Sequence, residues 1–122
     1  MADKLLIVMV NADPDTPVVL GAPLYQATVA AAMEYDVEVI LAGISARLAV
    51  RGVAEKVFLK EGAQKSVYDI MREAHEAGVK FKVCGLPLEA SGGDFIPEID
   101  EVVGDAYVIS EAMDDTTVTF TY

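Results

Sequence analysis

Tryptophan is absent from the 122-residue chain, cysteine and histidine occur once each, and basic residues number nine against twenty acidic ones. Each scarcity closes a class of function. One cysteine forms no internal disulfide, and with a single histidine it makes no zinc constellation. No carboxylate spacing matches a calcium loop. The turn Ser91-Gly92-Gly93-Asp94 lacks the glycine spacing of a dinucleotide- or phosphate-binding loop. The expectation is therefore no metal and no cofactor. A formal net charge of −11 repels phosphate backbones and anionic membrane surfaces, so neither nucleic acid nor membrane is an expected partner. No run is apolar over a membrane-spanning length, and no basic segment leads into a cleavable apolar one, which makes the cytoplasm the expected location.

What the chain has in excess is apolar content, 53% of residues with a mean hydropathy of +0.37. A domain of this length cannot hide all of it, so part is expected in a subunit interface. No repeat, low-complexity tract or linker divides the sequence, and residues 1–122 read as a single domain.

Strands and helices alternate. Lys4 to Val10 is a nearly continuous apolar run, as in a central parallel strand covered on both faces, and it ends in the turn cluster Asn11 to Thr16. Thr16 is expected to cap a helix that begins at Pro17, is interrupted or kinked at Pro23, and continues through alanine-rich residues to Tyr35. Asp36 to Ala42 reads as a second strand closed by Gly43, Ile44 to Val50 as a short helix or turn, and the VFL of Val57 to Leu59 as a third strand. Ser66 and Asp69 form a capping box ahead of the apolar stripe Val67, Ile70, Met71, Ala74 and Ala77, with Gly78 as the stop. Asp105 to Met113 is expected to be helical and Thr117 to Tyr122 an edge strand. The pattern implies an α/β domain on a largely parallel sheet of about five strands.

The most reactive group is placed by the segment GVKFKVCG, Gly78 to Gly85. Alternation along a strand puts Val79, Phe81 and Val83 on one face and Lys80, Lys82 and Cys84 on the other. A nearby ammonium favours the thiolate, which is the nucleophile, so Lys82 is a candidate thiolate stabiliser. Gly85 leaves room for a reacting partner. The alternative is a buried, inert cysteine that only packs. Asn11, Asp13 and Asp15 read as turn formers, and His75 as a solvated residue at a helix end. Glu98, Asp100, Glu101, Asp114 and Asp115 read as solvated surface.

The order EAGVKFKVCG, then LPLEASG, an acidic stretch from Asp94 to Val103 and a terminal VTFTY resembles the DsrE/DsrF-like family of sulfur-relay proteins. That resemblance implies a three-layer α/β/α sandwich, and Cys84 as a sulfurtransferase or carrier residue holding sulfane sulfur as a persulfide without a cofactor. It further implies a TusA-like small sulfur-carrier protein as partner, and a homo-oligomer that is a trimer or a multiple of one. The alternative from a different class is a non-catalytic oligomeric binding subunit with a structural Cys84.

Overall fold

The computed structural model describes residues 2–85 and 94–122. Five strands, β1 (Lys4–Met9), β2 (Asp36–Leu41), β3 (Lys80–Cys84), β4 (Ile99–Val103) and β5 (Thr117–Thr121), form one parallel sheet in the order β4-β3-β2-β1-β5. Helices α1 (Gly21–Ala32) and α2 (Val67–Glu76) connect β1 to β2 and β2 to β3. Both crossovers step the same way along the sheet, so their right-handedness puts both helices on one face. The connection from β4 to β5 runs the opposite way through α3 (Asp105–Ala112), which therefore lies on the other face. The result is the expected three-layer α/β/α sandwich.

The two faces are unequal. The α1/α2 side carries the larger core, with Ile7, Leu24, Val39, Met71, Phe81 and Val83 fully buried. Beneath α3 the buried apolar set among the described residues is Leu6, Ile40, Cys84 and Val103, with Val8, Ala42, Tyr107, Val108 and Ala112 packed against it. No residue of α3 itself is buried.

The capping box forms: the Asp69 amide donates to Ser66 Oγ at 3.1 Å, and the Ser66 amide donates to Asp69 Oδ2 at 3.1 Å. Thr16 makes no side-chain cap. Pro17 to Leu20 is a 3-10 turn and α1 starts at Gly21, so Pro23 falls in the first helical turn, where a missing N–H costs nothing and no kink is needed. Gly43 opens a 3-10 stretch after β2 with φ +51, and a Cβ there would lie 2.7 Å from the Val10 carbonyl oxygen.

Two assignments change. Val57 to Leu59 is not a strand: a 3-10 turn at Ala54–Lys56 precedes it, and Phe58 is exposed. The remaining strand is instead β4, within the acidic stretch read as solvated surface. It pairs with β3 through a bulge: Phe81 faces Ile99 but Lys82 faces Glu101, which leaves Asp100 as the extra residue. Its carboxylate compensates, accepting the Phe81 amide at 3.0 Å and lying 3.0 Å from His75 Nε2 on α2. His75 is thus tied to a carboxylate and only partly solvated.

Candidate functional site

Cys84 is the last residue of β3, and Gly85 turns the chain away with φ +73, a left-handed backbone that glycine adopts freely. The LPLEASG stretch and most of the Ser91 to Asp94 turn lie outside the described residues. By Phe95 the chain is back beside the larger core, where Phe95 bridges Val50 and the Ile96 amide donates to the Ala49 carbonyl at 2.9 Å. The neighbouring β4 leaves at Val103 into α3 on the opposite face. The described chain thus resumes on one face after β3 and leaves on the other after β4, the arrangement at which open parallel sheets place their chemistry.

The expected face assignment holds: Phe81 and Val83 enter the α1/α2 core, whereas Lys82 and Cys84 face α3. Cys84 is 4% exposed, and its Sγ donates to Asp105 Oδ1 at 3.3 Å from the first residue of α3. Burial pushes the thiol above its ordinary range, and the hydrogen bond and negative charge of Asp105 push the same way. The charge that acts on the sulfur is therefore an anion.

Lys82 is engaged elsewhere. Its Nζ donates to the Tyr107 hydroxyl at 2.6 Å, lies 3.1 Å from Glu38 Oε1 and 3.2 Å from Glu101 Oε1, and sits 4.6 Å from the centre of the Tyr107 ring. Burial works against its ammonium, but the hydrogen bonds to Tyr107, Glu38 and Glu101 outweigh it and hold the group well above the usual lysine range. Tyr107 in turn donates to Glu38 Oε1 at 2.6 Å. Glu38 is bonded by Lys4 as well, and Lys4 also reaches Glu111 on α3. Desolvation of Glu38 is overcome by its bonds from Lys4, Tyr107 and Lys82, so its carboxyl lies below the ordinary glutamate range.

These contacts form a ladder of alternating charge, Glu111, Lys4, Glu38, Lys82 and Glu101, running diagonally across the sheet beneath α3. Sequence reasoning missed Asp105, Tyr107, Glu38 and Lys4. A signal was present: Glu38 and Lys82 interrupt otherwise apolar strands, and a charge inside a covered strand requires a partner.

Asp13 and Asp15 are turn formers as expected. The Asp15 amide donates to Asp13 Oδ1 at 2.8 Å, and Arg47 pairs with both carboxylates. A cavity of about 530 Å³ lies beside them, lined by Pro14, Asp15, Arg47 and Phe58 among others, and Cys84 does not line it. Among the described residues no group of His, Cys, Asp and Glu could hold a metal ion, and no helix is long and apolar enough to cross a membrane.

No protein-family model and no curated protein sequence matches the chain. Among solved structures, the ychN protein from E. coli superposes with a TM-score of 0.70 at 17% identity, covering 98% of this chain and 100% of that one. This chain has the DsrE/DsrF-like fold. At that identity the likeness carries the architecture and leaves the chemistry to the residues. Within the DsrE/DsrF-like fold, the thiol of this chain stands at a strand end beside an aspartate and a charge ladder.

Proposed function

We propose that the protein is a sulfurtransferase or sulfur carrier in which Cys84 holds sulfane sulfur as a persulfide. The observation that supports this reading is the place of the thiol, at the carboxyl end of β3 in a DsrE/DsrF-like fold, where the described chain resumes on one face after β3 and leaves on the other after β4. The Cys84 thiolate attacks the outer sulfur of a donor persulfide; a new S–S bond forms on Cys84, the donor S–S bond breaks, and its electron pair leaves with the donor thiolate. Attack by an acceptor thiolate on the terminal sulfur reverses the sequence and returns Cys84 as a thiolate. No net oxidation occurs, so neither a cofactor nor a second cysteine is required. Gly85 gives access to the sulfur, and Lys82 is the nearer in sequence of the two lysines on its face of β3. A TusA-like carrier is the class of partner proposed.

One observation favours a second reading, in which Cys84 is structural and the protein a binding subunit: the thiol is 4% exposed and hydrogen-bonded to a carboxylate. Polysulfide treatment separates the two. A sulfur carrier gains the mass of one or more sulfur atoms, released by reductant and absent in Cys84→Ser. A thiol that stays unmodified in the native protein and reacts only after denaturation overturns the carrier reading.

A further inference from the structure

We infer that α3 is a removable cover over Cys84, latched to the sheet by hydrogen-bonded charges around a small apolar patch. The inference rests on the reading of Cys84 as a reacting thiol and names how access to it is controlled.

A helix held by hydrophobic burial presents a buried stripe, and α2 does so with Val67, Ile70, Met71 and Ala74. None of the eight residues of α3 is buried. Its hold on the sheet comes largely from three polar side chains: Asp105 accepts from Cys84, the Tyr107 hydroxyl sits between Lys82 and Glu38, and Glu111 pairs with Lys4. The apolar seal between them is small: Tyr107, Val108 and Ala112, all partly exposed, pack on the buried Leu6 and Ile40 of the sheet.

What makes such a latch reversible is the bonding of the sheet side. Removing one member of a buried ion pair is costly because it strands the other charge. Lifting α3 strands none. Lys4 keeps Glu38, and Lys82 keeps both Glu38 and Glu101, since those pairs lie within the sheet. The groups that depart, Asp105, Tyr107 and Glu111, pass into water. The same movement takes the Asp105 carboxylate off the sulfur and bares it. The charged groups facing this region are then Lys82 on β3, with its partners Glu38 on β2 and Glu101 on β4, and Leu6, Ile40 and Val103 lie around the thiol. Covered, Cys84 is a neutral thiol beside an anion; uncovered, its neighbour on the same strand face is an ammonium freed from Tyr107.

The test uses the full chain and a small neutral disulfide reagent that reports free thiol. Tyr107→Phe combined with Glu111→Gln removes two latch contacts and leaves every sheet-to-sheet pair. Labelling of Cys84 is expected to quicken at least about tenfold, the factor equivalent to ~1.4 kcal/mol. Ser66→Ala, which weakens the α2 cap and leaves α3 untouched, is expected to leave the rate unchanged. Equal rates in wild type and the latch variant overturn the cover, as does equal acceleration by Ser66→Ala, which would mean that the thiol is reached by global unfolding. Hydrogen exchange on the wild type needs no substitution: amides of Asp105 to Ala112 should exchange faster than those of α2, and equal protection refutes the proposal. Polysulfide loading is scored separately. Fast labelling of the latch variant with no persulfide in any form sinks the sulfur reading and leaves the cover standing, whereas equal persulfide loading of wild type and latch variant sinks the cover alone.

Discussion

Replacing Lys82 by methionine removes the centre of the charge ladder and keeps most of the apolar stem. The lost pair with Glu101 contributes little, because that carboxylate is 57% exposed and water replaces the ammonium, at about 0–1 kcal/mol. Glu38 is a different case at 5% side-chain exposure. It retains Lys4 and Tyr107, so the penalty falls short of the roughly 3–5 kcal/mol of a fully orphaned buried charge. It approaches the loss of one charged hydrogen bond, about 1.5–3 kcal/mol. Packing by the methionine chain offsets a fraction, leaving about 2 kcal/mol of destabilisation. For a chain of this length that lowers the thermal midpoint by roughly 6–10 °C. Without tryptophan, far-ultraviolet circular dichroism in urea at fixed protein concentration is the suitable probe. Glu38→Gln and the double variant complete a cycle in which the two substitutions should couple by more than about 1 kcal/mol. Wild-type stability in Lys82→Met, or strict additivity in the cycle, would refute the ladder as a stabilising unit.

Further outcomes follow from single features. Asp105→Asn keeps an acceptor near Cys84 but removes the negative charge, so the pH midpoint of Cys84 alkylation should fall; an unchanged midpoint means that burial alone sets it. Because the Cys84, Tyr107 and Lys82 pKa values are all raised, their stabilisation is complete below the unfolded values and is lost as pH rises through the folded ones. The lowered Glu38 works in the opposite window, its contribution disappearing as pH falls below the ordinary glutamate range, and Glu38→Gln should flatten that acid limb of a stability profile. Gly43→Ala should destabilise by more than about 1 kcal/mol in urea titration, since the left-handed backbone and the nearby Val10 carbonyl both oppose a Cβ. The exposed apolar residues Tyr25, Val29, Met33, Val118 and Phe120, which border neighbouring surface depressions, motivate the proposed homo-oligomer. Light scattering after size exclusion checks it: a monomer at low concentration removes the interface argument, and a dimer removes the trimer.

Local chemistry made much of this fold legible in the sequence. The apolar run of β1, the Ser66/Asp69 box, the stop at Gly78 and the alternation that places Lys82 and Cys84 together are short-range signals, and each appears where short-range physics puts it. The third-strand reading failed because VFL has strand composition without a strand's neighbours, while Ile99 to Val103 is a strand whose Asp100 and Glu101 hide its pattern. Edge position explains the difference, since an edge strand tolerates charge that a central one excludes. The site was half legible. Cys84 and its strand face could be read from spacing, but Asp105, Tyr107 and Glu111 meet the sheet from a helix within the β4–β5 crossover, and nothing local in their sequence reports which charge they meet.

The bulge at Asp100 has a consequence for where α3 can sit. Strand pairing has a two-residue period, so a slip of one residue in β4 would turn Glu101 away from Lys82 and Val103 away from Cys84. What pins the register is a carboxylate shared between the Phe81 amide on β3 and His75 on α2. The register of β4 thus depends on β3 and α2 together, and α3, which begins two residues after β4 ends, takes its starting point from that register. The meeting of Asp105 with Cys84 on one face of the sheet therefore depends on a carboxylate, Asp100, anchored to α2 on the other.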